Sequence, residues 1–212
     1  MIYKAVIFDL DGVICHTDEY HYRAWLKIAD ELGINFNEKI NNLLRGVGRM
    51  QSLDIILELS DKELSDEEKK LYAEEKNSYY IKLLDDLTPA DVEPDVFETL
   101  NMIRSRGIKM AIGSSSKNAK RILKKVGLID FFDAISDGTN IIRTKPHPEV
   151  FLKASNYLGI KPKECIVVED AQSGVEAAIA ANMDCAAIGG AAGYSLASYS
   201  LKNLSDLLQY VL

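Results

Sequence analysis

Asp9 and Asp11, in the run Ile7-Phe8-Asp9-Leu10-Asp11-Gly12, directly follow an apolar stretch over 2–8. That stretch has the unbroken apolarity of a buried parallel strand. Carboxylates this close repel each other, and desolvation pushes both of their pKa values up. A bound cation relieves the repulsion. The pair therefore suggests metal-assisted chemistry at the carboxyl end of a strand, where open α/β sheets hold ligands. Alone, it reads equally well as an acidic turn capping an ordinary strand.

Three further groups fall at corresponding places. Gly113-Ser114-Ser115-Ser116-Lys117-Asn118 follows the apolar run 108–112 and opens a helix, so hydroxyls and free N–H groups there suit an anionic oxygen. Ser116 also suits an N-cap. Lys145 precedes Pro146 and Pro148 in a stiff turn. Glu169-Asp170 follows Val167-Val168 and aims carboxylates toward the same edge as Asp9. Each is weak alone; together, in this order, they define a site.

The elements that must position these groups fall into two textures. From about 92 onward, helical faces (Val96, Leu100, Ile103; Ile122, Leu123, Val126; Val150, Phe151, Ala154, Leu158) alternate with short apolar strands around 108–112, 134–135, 165–168 and 185–188. Gly33-Ile34, Gly107-Ile108, Gly127-Leu128 and Gly159-Ile160 have the pattern of left-handed helix C-caps. The expected fold is α/β, a Rossmann-like parallel sheet with helices on both faces. Residues 17–87 offer no strand. They read as a helix opening at Thr17-Asp18-Glu19 with Trp25, Ile28, Ala29 and Leu32 inward, then helices over 37–44, 50–59 and 66–85, the last carrying Leu71, Tyr79 and Leu83. The expected organisation is a core of 1–16 and 88–212, with an inserted α-helical bundle cap over 17–87. Links at 13–16 and 88–94 suit the hinge of a lid.

The 212-residue chain is 47% hydrophobic and 27% charged, a globular balance. Its net charge of -7 leaves no basic footprint for nucleic acid, which is not an expected partner. A small phosphorylated ligand remains compatible, because local lysines, arginines and a metal outweigh the global charge. No apolar run approaches ~20 residues and the first residues lack signal-peptide anatomy, so no membrane partner is expected. Cys15, Cys165 and Cys185 form no CxxC and read as reduced core thiols of a cytoplasmic protein. Nothing in the sequence forces association, and a monomer is expected.

With these residues in order, the chain resembles the haloacid dehalogenase superfamily. Asp9-x-Asp11-Gly12 matches its first motif, Ser114 its second, Lys145 its third and Glu169-Asp170 its fourth. The resemblance implies a Rossmann-like core, a Mg²⁺ cofactor and an aspartyl-phosphate intermediate. It assigns Asp9 as nucleophile and Asp11 as general acid and base, with Ser114 and Lys145 gripping the phosphoryl oxygens. Asp9, the Asp11 carbonyl and Asp170 would hold the metal, with Glu169 as a ligand or just behind it.

The cap narrows the resemblance. Thr17-Asp18-Glu19-Tyr20-His21-Tyr22-Arg23-Ala24-Trp25, Arg45-Gly46-Val47-Gly48-Arg49-Met50-Gln51-Ser52-Leu53, Ser115-Ser116-Lys117-Asn118 and Thr88-Pro89-Ala90-Asp91-Val92 are similar to the sugar-phosphate mutase branch of the superfamily. That branch interconverts β-glucose 1-phosphate and glucose 6-phosphate through β-glucose 1,6-bisphosphate. It implies a distal phosphate held by Arg49, a plausible bidentate clamp, with Ser116, Lys117 and Asn118. His21 and Lys76 would be tied to Asp11 and the closed lid. Gly46, Val47 and Ser52 complete the sugar site, and Trp25 is either sugar platform or bundle core. Gly48 would loosen the clamp loop, and Asp95 stands where relatives usually place glycine. A phosphatase passing the phosphoryl group to water is the alternative; a phospho-aspartate signalling domain is a third reading, disfavoured because it needs no lid.

Overall fold

The computed structural model describes residues 3–60 and 62–212; Ile2, included in the opening apolar stretch, lies outside them. Strand β1 (Ala5–Phe8) leads into four helices, α1 (Asp18–Leu32), α2 (Glu38–Leu43), α3 (Arg49–Glu58) and α4 (Asp66–Leu83). The chain then alternates: α5 (Pro94–Ser105), β2 (Lys109–Gly113), α6 (Ala119–Lys125), β3 (Ala134–Ser136), α7 (Glu149–Leu158), β4 (Cys165–Glu169), α8 (Gln172–Ala180) and β5 (Asp184–Ala187). It closes with β6 (Tyr199–Ser200) and α9 (Leu208–Val211).

Among the described residues the strands form one parallel sheet in the order β3-β2-β1-β4-β5-β6. The order reverses between β1 and β4, the switch point where doubly wound sheets leave a crevice beyond their carboxyl ends. Side-chain alternation divides the core into two layers. Val6, Phe8, Met110, Ile112, Ile166 and Val168 pack with Leu100, Ile103, Ile122 and Leu123 on one face. Ala5, Ile7, Ala111, Cys165 and Val167 meet Phe151, Ala154, Val175 and Ala178 on the other. The three central strands, buried on both faces, are therefore apolar runs rather than alternating ones.

The helices between β1 and α5 form a cap with its own core of Trp25, Ile28, Leu32, Phe36, Leu53 and Ile56. Tyr80, Leu84 and Leu87 join the sheet's core instead and anchor the base of the cap. Helix α1 stops where Gly33, at φ 68°, turns left-handed and Ile34 N–H reaches back to the Ala29 carbonyl at 2.8 Å.

Three local expectations differ from what is observed. The inward residues of α4 are Ala73, Lys76 and Tyr80, whereas Leu71 is 66% exposed and Tyr79 and Leu83 are half-buried. A lysine in the inward stripe masks the helical period. Helix α1 opens after Thr17 as expected, with Asp18 and Glu19 in its first turn, and the Thr17 hydroxyl donates to Asp11. Helix α6 starts after Asn118, and Ser116 accepts from the Asn118 N–H at 3.1 Å one turn earlier. Gly48 is less a source of slack than a close approach, since a Cβ there would lie 2.6 Å from Thr144 Cγ2. Strand β6, too short to show a pattern, is held by Tyr3, whose hydroxyl donates to Asp184 at 2.6 Å and lies 3.0 Å from that of Tyr199.

Helix α8 approaches the end of β4 so closely that a Cβ on Gly174 would lie 2.0 Å from the Glu169 carboxyl carbon. Gly174→Ala is expected to lower stability by about 1–3 kcal/mol through overpacking. Urea unfolding checks this, and an unchanged midpoint would contradict it.

Candidate active site

The pairing of β1 with β4 continues one residue further, with Asp9 N–H donating to the Val168 carbonyl at 2.9 Å. This sets Asp9 beside Glu169 and Asp170 at the switch point. The three carboxylates are buried, and one oxygen from each lies within 4.8 Å of the others. Gly12, at φ 87°, lets the chain turn under them; a Cβ there would lie 2.2 Å from Asp170 Oδ2.

Lys145 is fully buried and its ammonium bonds both Asp9 Oδ1 and Glu169 Oε1. Glu169 Oε2 accepts the Ala171 N–H at 2.9 Å, so both of its oxygens are engaged. Asp9 and Asp170 line the cavity above while Glu169 does not, which makes Glu169 the support for the other two. An all-oxygen, anionic and buried donor set suits a hard divalent cation, and the acidic cluster fits a metal ion.

Burial drives the Asp9 carboxyl well up; the Lys145 ammonium opposes this, while Glu169, Asp11 and Asp170 add to it. Burial raises Asp170 to about 8, reinforced by Glu169 and Asp18 and countered by Arg45 and Lys145. Asp11 is raised to about 6 by burial, with the Thr17 hydroxyl pulling it back down. The contacts with Asp9 and Glu169 outweigh burial at Lys145 and hold its ammonium protonated.

Above this floor a cavity of about 940 Å³ lies between cap and sheet. Asp9, Asp11, Ser114 and Asp170 line it from below, with Ser116, Lys117 and Asn118 from the loop after β2. His21, Trp25, Gly46, Val47, Arg49, Ser52 and Lys76 line it from the cap. Lys145 and Glu169 do not reach it; they lie beneath its floor. Ser114 Oγ accepts the Ser116 N–H at 3.0 Å, which folds the loop over. Trp25 is 2% exposed in the bundle core, with Lys76 Nζ 5.0 Å from its ring centroid. Lys76 also stands 2.8 Å from His21 Nδ1 and over the Tyr80 ring at 4.6 Å. Burial and neighbouring cations lower both Lys76 and His21 well below their ordinary values.

Three contributors escaped the sequence reading. Asn77 Oδ1 accepts from Arg49 Nη2 at 2.7 Å and from Asn118 Nδ2 at 2.9 Å, joining cap to core. Thr17 holds Asp11, and Arg45 reaches Asp170 at 3.0 Å. Thr17 and Arg45 stand in stretches that carry the resemblance but drew no role there, and Asn77 was signalled only by following Lys76 on α4.

A family model for haloacid dehalogenase-like hydrolases matches residues 3–182, and the chain belongs to that family. It is 38% identical over 206 residues to a protein of Bacillus subtilis (strain 168) named beta-phosphoglucomutase, covering 96% of this chain and 91% of that one. A phosphorylated carbohydrates phosphatase of Thermotoga maritima is 32% identical over 184 residues, 85% of this chain and 82% of the other. The crystal structure of a beta-phosphoglucomutase from Clostridium difficile superposes with a TM-score of 0.94 at 42% identity, over 100% of this chain and 96% of that one. The parallel sheet, the inserted helical cap and these relatives agree on the fold. Among the described residues no helix is long and apolar enough to cross a membrane.

Removing the Lys145 ammonium leaves two buried carboxylates facing each other. Lys145→Met is expected to cost about 3–5 kcal/mol. Chemical denaturation checks it; wild-type stability would show that the triad is not a buried ion network.

Proposed function

We propose that this enzyme interconverts β-D-glucose 1-phosphate and glucose 6-phosphate, by way of an aspartyl phosphate on Asp9 and β-glucose 1,6-bisphosphate. The observation that carries the reading is a pair of anion grips in one cavity. One is Ser114 beside the candidate cation cluster of Asp9 and Asp170, which line the cavity floor. The other is Arg49 and Asn118, which converge on Asn77. A mutase must hold two phosphates at once; a simple phosphatase has no need of the second grip. Similarity to two proteins named beta-phosphoglucomutase favours the same reading.

In this reading an Asp9 oxygen attacks phosphorus while the bond to the sugar oxygen breaks, and Asp11 gives that oxygen its proton. In the second half-reaction Asp11 takes the proton from the attacking sugar hydroxyl, which accepts the phosphoryl group from Asp9. Ser114 steadies the phosphoryl oxygens, while Lys145 acts from beneath the floor, holding Asp9 and Glu169 in place. Asp9, the Asp11 carbonyl and Asp170, backed by Glu169, would hold Mg²⁺, which when bound neutralises charge between nucleophile and phosphate. Arg49, Ser116, Lys117 and Asn118 take the distal phosphate; its charge favours the protonated form of the buried Lys76 beside His21. Gly46, Val47, Ser52 and Trp25 shape the sugar wall. The cap, 17–87, moves over a core of 1–16 and 88–212 on the links at 13–16 and 88–94, excluding water while the phospho-aspartate waits. The enzyme works as a cytoplasmic monomer on a small phosphorylated sugar.

The phosphatase reading has support in the carbohydrate phosphatase relative, and products separate the two. With β-glucose 1-phosphate and a trace of the bisphosphate, glucose 6-phosphate is expected, and the α anomer is expected to be inert. Glucose and free phosphate as main products would decide for hydrolysis. Arg49→Ala is expected to slow the mutase about a hundredfold while sparing slow hydrolysis of small phosphate esters; equal loss on both would contradict the clamp.

Asp11 supplies a pH test. As base in the second half-reaction it must be ionised, and its pKa is about 6. Turnover limited by that step is expected to fall about tenfold per unit as pH drops below about 6, by the Henderson–Hasselbalch limit. Asp11→Glu should move this acidic limb. A limb that stays in place would assign it to another group.

A further inference from the structure

Arg45, in the loop between α2 and α3, bonds carboxylates from both parts of the molecule. Its Nη1 donates to Asp170 Oδ2 at 3.0 Å and its Nη2 pairs with Asp18 Oδ2, at the start of α1, at 2.9 Å. Backbone contacts seat the loop independently of that side chain. The Arg45 carbonyl accepts from Ser173 Oγ at 3.1 Å, and the Gly46 carbonyl from Ser115 Oγ at 2.9 Å. Gly46, at φ 75°, has no room for a side chain, since a Cβ would lie 2.5 Å from Ser173 Oγ. The cap loop therefore lands on the sheet by its main chain and carries the guanidinium onto Asp170. The buried Nε has no partner, so the fork is placed for the two carboxylates rather than for its own full hydrogen bonding.

We propose that Arg45 is a positioning residue that couples cap closure to the cation pocket, setting one positive charge on Asp170 whenever the loop is docked. The proposal rests on the reading of Asp170 as a metal ligand. A guanidinium bonded to one oxygen of a ligand carboxylate fixes the direction of the other and repels a dication nearby. Linkage makes the effect mutual: a docked cap weakens the cation, and a bound cation weakens docking. An arriving phosphate supplies the negative charge that lets both stay. Arg45 thus favours closure over substrate and disfavours closure over metal alone.

The test is Mg²⁺ titration of the full chain by calorimetry, without sugar phosphate and at alkaline pH, where a proton on Asp170 competes least with the cation. Arg45→Met keeps the apolar stem and removes the charge; it is expected to bind Mg²⁺ roughly three- to tenfold more tightly. Arg45→Lys is expected to restore wild-type affinity. Damage to the fold would weaken binding, so the sign separates charge coupling from a structural role. Affinity of Arg45→Met equal to or below wild type would overturn the proposal. Asp170→Asn is run in parallel and is expected to lose Mg²⁺ binding. If it binds as wild type does, Asp170 is not a ligand and the underlying reading falls with the proposal. If it loses binding while Arg45→Met matches wild type, the coupling alone falls.

Discussion

The ammonium of Lys145, wholly removed from water and shared between Asp9 and Glu169, is the interaction on which the rest of the structure depends. An isolated buried ammonium is costly by several kcal/mol, and so is each carboxylate. Together they are tolerable only if sheet register, the proline-flanked loop and the start of α8 bring them to one point. Parallel pairing of β1 with β4 supplies the carboxylates, and Gly174 makes room for Glu169. The result is a floor that is electrostatically organised before any ligand arrives, the condition under which fixed charges act on a reacting phosphate without reorganising.

Above that floor, cap and sheet meet through polar rather than apolar contacts around the cavity. Asn77 accepts from a cap arginine and a core asparagine, and Thr144 Oγ1 donates to Gln51 across the same boundary at 3.0 Å. Such contacts are individually worth about a kcal/mol and exchange readily with water. They suit the cap movement proposed for the reaction. The apolar anchoring, by Tyr80, Leu84 and Leu87, is kept at the base of the cap, next to the connecting segment.

Much of this was legible in the sequence. The central strands showed as apolar runs because both faces are buried, and glycine-apolar junctions marked helix ends because only glycine turns left-handed freely. The four motif groups fell together because each follows a strand of one parallel sheet. Apart from Thr17, six residues from its partner Asp11, what stayed hidden depends on partners far away in the chain. The inward face of α4 was obscured because Lys76 stands where an apolar residue would keep the period. The roles of Arg45 and Asn77 could not be read, since they lie in Asp170 and Asn118, 125 and 41 residues on. Strand β6 has two residues and is defined by tyrosine contacts rather than by its own propensity.

In the proposed reaction phosphorus passes covalently through the side chain of Asp9. Acid-quenching the enzyme during turnover with β-glucose 1,6-bisphosphate and Mg²⁺, then mapping peptides by mass spectrometry, tests it directly. One phosphoryl group is expected on the peptide bearing Asp9, absent in Asp9→Asn, which should also be inactive. A phosphoryl group on another residue, or full turnover by Asp9→Asn, would contradict it.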